Sequence, residues 1–261
     1  LETGLTKISS DGGLTGIAEV SNAASAAATL GKSATARASA DSIEGADLGA
    51  TIIGGIGTIG AQATLASTAD ASNVTGAAFG TSSVRSSEGL DLSGKLDIAS
   101  DASVTGFANI TGGASAGTTN GEAEAKSTSE TITGTDLSDG KVTIGGLGSI
   151  SGQANFDFSA ASSNVEDGLS KAVAQSDLAT GLIGSNNVID VASDASVSGM
   201  AVGSLGADAS STASGATANA GKDDSAVGAV LPDLNVGGIA NITGAAQLDT
   251  SATACNVGSD S

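Results

Sequence analysis

A seven-residue pattern that recurs from one end of the chain to the other constrains the fold more than any other feature. It consists of an aliphatic residue, two small residues, a variable residue, two small residues and a second aliphatic residue. Copies run from Ile8 to Leu14, Ile53 to Ile59, Ile98 to Val104, Ile144 to Ile150, Val191 to Val197 and Val236 to Ile242. Starts at 8, 53, 98, 144, 191 and 236 are separated by 45, 45, 46, 47 and 45 residues. Such even spacing marks a repeat architecture, in which each copy buries its apolar face only against its neighbours.

Each copy runs into a strictly alternating segment: LTGIAEV from Leu14, IGAQATL from Ile59, VTGFANI from Val104, ISGQANF from Ile150, VSGMAVG from Val197 and ITGAAQL from Ile242. Taking every second residue of the third gives Val104, Gly106, Ala108 and Ile110. Only a strand places those four on one side. Gly and Ala in the middle of that face predict close approach by a second sheet. Twenty or more residues rich in Ala, Ser and Gly then intervene, followed by Gly with Asp-Leu two residues later: Gly45-Asp47-Leu48, Gly89-Asp91-Leu92 and Gly134-Asp136-Leu137. A degraded form lies near Pro232, Asp233 and Leu234. Gly and Asp at this spacing read as a turn or arch, after which KLDI (Lys95 to Ile98) or KVTI (Lys141 to Ile144) forms a short strand. Each unit therefore reads as strand, arch, strand.

The units fall into two alternating classes. The central pattern residue is acidic in the first, third and fifth (Asp11, Asp101, Asp194) and aliphatic in the second, fourth and sixth (Ile56, Leu147, Ile239). Only the aliphatic class carries Asn-Val about 17 residues on, at Asn73-Val74, Asn164-Val165 and Asn256-Val257, whereas the acidic class carries alternating alanines such as Ala34, Ala36 and Ala38. The full sequence period is thus about twice the unit. Two stacks are compatible with it. A coil of two units would place the three aspartates directly on one another. A coil of one unit would interleave acid and aliphatic residues and hold the carboxylates about 9–10 Å apart, which repels less and is preferred.

These observations define an all-β fold, a repeat β-solenoid or stacked β-arch of cross-β, amyloid-like character. A single repeat domain spans 1–261, with units at 8–52, 53–97, 98–143, 144–190, 191–235 and 236–261, the last truncated. With four Phe, no Trp and no Tyr, cohesion has to come from close backbone approach and many small contacts.

A formal charge of -19 with only nine Lys plus Arg excludes a nucleic-acid or anionic-membrane partner and makes cations the natural counter-species. Leu48 to Ala69 is uncharged, but it is diluted by Gly, Thr and Gln and reads as strand, so no membrane insertion is expected. The chain starts at Leu1 with no Met and no charged-then-apolar leader, the expectation for a secreted, cell-envelope product after signal-peptide removal.

No His and a single Cys remove the Ser-His, Cys-His and zinc arrangements, and no enzyme activity or cofactor is expected. Asp223-Asp224 reads as solvated charge, and the Gly-rich GGIGTIG and GGLGSISG lack the Lys of a phosphate loop. Asp11, Asp101 and Asp194, flanked by Ser9, Ser10, Ser100 and Ser193, are a candidate weak ladder for Ca²⁺ or Mg²⁺, or else they bond to backbone amides at a bend. Cys255 is either a small buried residue or an intermolecular disulfide. Asn73, Asn109 and Asn241 start Asn-X-Thr triplets, two of them inside strand segments, where they read as accidental.

In composition and architecture (Gly/Ala/Ser/Asp-rich, acidic, aromatic-poor, no His, stacked IASDASVTG-type strands, no capping unit) the chain resembles the tubular sheath proteins of filamentous methanogenic archaea. The resemblance implies amyloid-like hoops and an extracellular wall around cells. It transfers no functional residues. The expectation is a structural subunit that polymerises with itself through continuous β-sheet. The alternative is a monomeric solenoid binding module of ice-binding or adhesin type, although the irregular Thr spacing does not favour an ice-binding face.

Overall fold

The computed structural model describes residues 1–184, 188–212, 215–221, 225–231 and 233–257; Asp223, Asp224 and Pro232, singled out above, lie outside them. Strands in chain order begin with β1 (Glu2–Ile8), β2 (Gly12–Ala28), β3 (Ala34–Ile53), β4 (Gly57–Thr75), β5 (Ala78–Leu92) and β6 (Leu96–Ile98). There follow β7 (Ala102–Asn120), β8 (Ala123–Asp136), β9 (Val142–Ile144), β10 (Gly148–Asn164), β11 (Ser170–Ile183) and β12 (Val188–Val191). The last are β13 (Ala195–Ser211), β14 (Ala216–Ala220), β15 (Ser225–Val230), β16 (Asp233–Val236) and β17 (Ala240–Asn256). No helix occurs among the described residues, and the fold is all-β.

The strands form two wholly parallel sheets. One has the order β2, β4, β7, β10, β13, β17. In the other, the long strand β3 carries β5, β8, β11 and then β14 and β15 along its first half, and β1, β6, β9, β12 and β16 along its second half. Partners are 44 to 47 residues apart, from Ala34 with Ala78 (44) to Gly148 with Ala195 (47). The register thus follows the shorter spacing considered above: Gly12 pairs Gly57, Gly57 pairs Ala102, and Ala102 pairs Gly148.

Regular strands extend well beyond the alternating heptapeptides. β4 and β7 each reach 19 residues because the Ala/Ser/Gly stretch keeps period two, with Ala69, Ala71, Ala114 and Ala116 buried on the inner face. The chain then reverses at glycines of positive φ, Gly76 (123°), Gly121 (138°) and Gly168 (132°), where a side chain would strain the backbone.

The Gly-x-Asp-Leu element, expected to be a turn, lies inside strands: Gly45 in β3, Gly89 in β5 and Gly134 in β8. Here the two sheets touch backbone to backbone. A Cβ on Gly45 would stand 2.6 Å from Gln62 N, and a Cβ on Gly134 would stand 2.6 Å from Gln153 C, below the 3.0 Å that real Cβ contacts respect. Gly16, Gly106, Gly152 and Gly199 of the other sheet meet the carbonyls of Gly45, Gly134, Gly181 and Gly228 in return. This waist splits the interior into two compartments. One is alanine-rich and includes Leu65, Ile110, Phe156, Phe158 and Leu205. The other is aliphatic and includes Leu48, Ile59, Leu92, Ile98, Val104 and Ile144. Bulk is compensated column by column: Phe158 is fully buried beside Gly112 of the neighbouring strand, where any Cβ would enter its ring.

Candidate functional site

The alternating pattern residues sit at the bends between the two sheets. Asp11 accepts the Ile56 amide at 2.8 Å, Asp101 the Leu147 amide at 2.8 Å and Asp194 the Ile239 amide at 2.7 Å. The carboxylate occupies space that only glycine leaves: a Cβ on Gly55, Gly146 or Gly238 would collide with Oδ1 of Asp11, Asp101 or Asp194. The acidic and Gly-Gly classes are therefore two halves of one joint. The structure does not bring the three aspartates together, since an aliphatic residue lies between each successive pair. Among the described residues no group of three or more Asp, Glu, Cys or His is placed to hold a metal ion.

A second joint lies at the far end of the same strands. Asn73 donates through Nδ2 to the carbonyl of Lys32 in the preceding turn and to that of Ala77 at 3.0 Å. Asn164 does the same to Gly121 and to Asp167 at 3.2 Å. On the alternate strand Thr118 donates to the Gly76 carbonyl at 2.9 Å. The Asn of the Asn-Val signal ties its own turn to the preceding one, and the valine beside it projects outward, with Val74 and Val165 both exposed. Asn73 is buried by this role, whereas Asn109 and Asn241 stand on the outward side of their strands.

Cys255 is free and exposed in β17, the outermost strand of its sheet among the described residues, and it pairs with Ser210. The buried reading is thereby corrected: Cys255 stands on the outward side of β17, while β14 and β15 pack against the inward side. It borders a shallow groove across the outer face of that sheet with Ser72, Gly117, Ser163 and Ser210.

The Gly-x-Asp-Leu repeat hid a further cluster. In-register pairing stacks Glu2, Asp47, Asp91 and Asp136 on successive strands, and Glu44 on Glu88 in the adjoining column. Strand spacing holds such neighbours about 4.8 Å apart. Burial, then Glu88, Asp136, Asp47 and Glu44, push the Asp91 carboxyl up to about 7. Glu88 is also raised, first by burial and then by Asp136 and Glu44, against the opposing Ser86 hydroxyl. The signal was present in the sequence, because an aspartate at a fixed place in consecutive units must stack once the coil is one unit long. Asp190, partly exposed, behaves oppositely: the Asn235 amide and then Lys141, at 2.9 Å, hold it below its ordinary value.

No family model, curated protein or solved structure matches this chain. The fold defines its class as an all-β protein of parallel sheets.

Proposed function

We propose that the chain is a β-solenoid of six stacked units and serves as a structural, self-assembling subunit of an extracellular sheath, fibre or coat, polymerising with its own copies through continuous β-sheet. The observation that carries this reading is the match between the two strands that are outermost in one sheet among the described residues. β17 offers Ile242, Gly244, Ala246, Leu248, Ala252 and Ala254, and β2 offers Leu14, Gly16, Ala18, Val20, Ala24 and Ala26 at the same register positions. A second copy's β2 laid on β17 continues every one of those columns with a residue of similar size, apart from the step from Leu248 to Val20.

The class order continues as well. β17 follows Gly237-Gly238-Ile239 and β2 follows Asp11, which is the succession already made from β10 to β13. In the other sheet, Val236 of β16 would receive Ile8 of β1, extending the column Ile8, Ile53, Ile98, Ile144, Val191, Val236. An unpaired strand edge is a template for another chain. No catalytic or cofactor chemistry is part of this function.

Negative-stain microscopy with fibre diffraction on the purified chain at neutral pH tests it. Tubes, rings or filaments with a reflection near 4.8 Å along the stack are expected. A monomer that persists at high concentration overturns it and favours the solenoid binding module.

A further inference from the structure

A stacked set of acids lies on the outer face of the second sheet, at the glycine waist. Asp47, Asp91 and Asp136 follow one another on β3, β5 and β8, with Glu2 of β1 below them and Glu44 and Glu88 in the adjoining column. Because the waist draws this sheet inward, its outer face is hollow at that level: Thr133, which continues the Glu44–Glu88 column, is 1% exposed. The carboxyls are therefore partly withdrawn from water as well as stacked.

The surrounding groups do not neutralise them. Arg85 of β5 is paired with Glu130 of β8 at 3.6 Å, and Lys95 with Asp97 of β6 at 2.8 Å. The Leu1 ammonium donates to the Gly45 carbonyl at 2.9 Å. Asp41 of β3, three residues before Glu44, is a further acid on the same strand. Ser93 donates to Asp47 at 2.8 Å, and the Ser138 amide donates to Asp136 at 2.7 Å, so both flanking carboxylates have hydrogen-bond donors. No hydrogen-bond donor reaches the central Asp91 among the described residues.

We propose that the column Asp47–Asp91–Asp136 is a proton-controlled latch, in which Asp91 keeps its proton and donates it to a neighbouring carboxylate while β3, β5 and β8 stay in register, and its ionisation loosens those three strands. Protonated, the centre of the column makes a carboxyl–carboxylate hydrogen bond across adjacent strands. Ionised, three charges stack in a partly sheltered hollow.

The sign follows from linkage. A carboxyl whose folded-state value lies above its unfolded value favours folding fully at acid pH and loses that contribution as pH rises from the unfolded value of 3.8 to the folded value of about 7. Partial exposure of the group moderates the size of the effect.

The direct test is a carboxyl ¹³C titration of the folded chain, in solution or in the assembled solid. A midpoint near 7 for Asp91 is expected, and a midpoint below 5 overturns the latch. The second test compares unfolding of the native sequence and of Asp91→Asn between pH 5 and pH 8. The native folded-to-unfolded ratio should fall by about tenfold or more, and the variant should lose most of that slope. Equal slopes overturn the proposal even if the variant is less stable throughout. Neither test needs polymerisation, so failure to assemble would bear on the proposed function alone.

Discussion

The Asp101 carboxylate accepts the Leu147 backbone amide across the step between neighbouring strands, in a space that exists because residue 146 is glycine. Asp101→Ala removes the acceptor from a solvent-accessible amide and should cost about 1–2 kcal/mol. Gly146→Ala drives a Cβ into the same carboxylate and should cost more in the native background than in the Asp101→Ala background. A double-mutant cycle by urea unfolding should therefore give a coupling energy of about 1 kcal/mol or more. Additivity within about 0.3 kcal/mol would show that the two classes are not halves of one joint.

The waist is less forgiving. A Cβ on Gly134 would meet the Gly181 carbonyl oxygen at 2.5 Å and Gln153 C at 2.6 Å, all backbone that cannot swing aside. Gly134→Ala must part the two sheets and open both core compartments, which places it among the substitutions costing more than about 4 kcal/mol. Gly60 is the control: a Cβ there meets nothing within 4 Å, and Gly60→Ala should be neutral or slightly stabilising in the same unfolding assay.

Phe158 is the one large aromatic that is fully buried, in an interior otherwise lined largely by alanine. Small neighbours held in regular columns cannot collapse into the space it leaves. Phe158→Ala should therefore lose about 4–5 kcal/mol, the upper part of the range of about 3–5 kcal/mol for aromatic truncation, with the unfolding slope unchanged.

Much of this fold was legible because the repeat is read twice. Period two in Val104, Gly106, Ala108 and Ile110 fixed the strand, whereas the spacing of the copies left two stacks open, and only the repulsion between stacked carboxylates favoured the coil of one unit. The Gly-x-Asp-Leu element was misread, because Gly and Asp mark a turn only when the chain must reverse there. Gly45, Gly89 and Gly134 are small instead because another backbone lies against them, and a local pattern carries no trace of a partner 17 to 19 residues away, such as Gln62 for Gly45, Phe107 for Gly89 or Gln153 for Gly134. The role of Asp11, Asp101 and Asp194 stayed open between a cation and a backbone amide for a related reason. Deciding it required knowing that the Gly-Gly step of the next unit lies directly beside the carboxylate. Cys255 stayed open between a buried residue and a link between chains, although the alternation that turns Ala252 and Ala254 inward places it on the outward face, in the column of Ser72, Ser163 and Ser210.

The register itself can be tested with cysteines, because the two candidate coil lengths exchange neighbours. Ser103 pairs with Ser149, and Ser149 pairs with Ser196, on the outer face of one sheet. Adjacent parallel strands hold paired Cα atoms about 4.8 Å apart, within the roughly 4.4–6.8 Å a disulfide spans, whereas second neighbours are about 9.6 Å apart and beyond reach. In a Cys255→Ser background, Ser103→Cys with Ser149→Cys should oxidise within one chain and lose both thiols to titration at unchanged mass on denaturing gels. Ser103→Cys with Ser196→Cys should keep both thiols under the same conditions. A coil of two units would reverse the result, since residues 103 and 196 are 93 apart and would then be neighbours. The same pair of variants therefore decides whether each aspartate of the joint is followed by an aliphatic residue or by another aspartate.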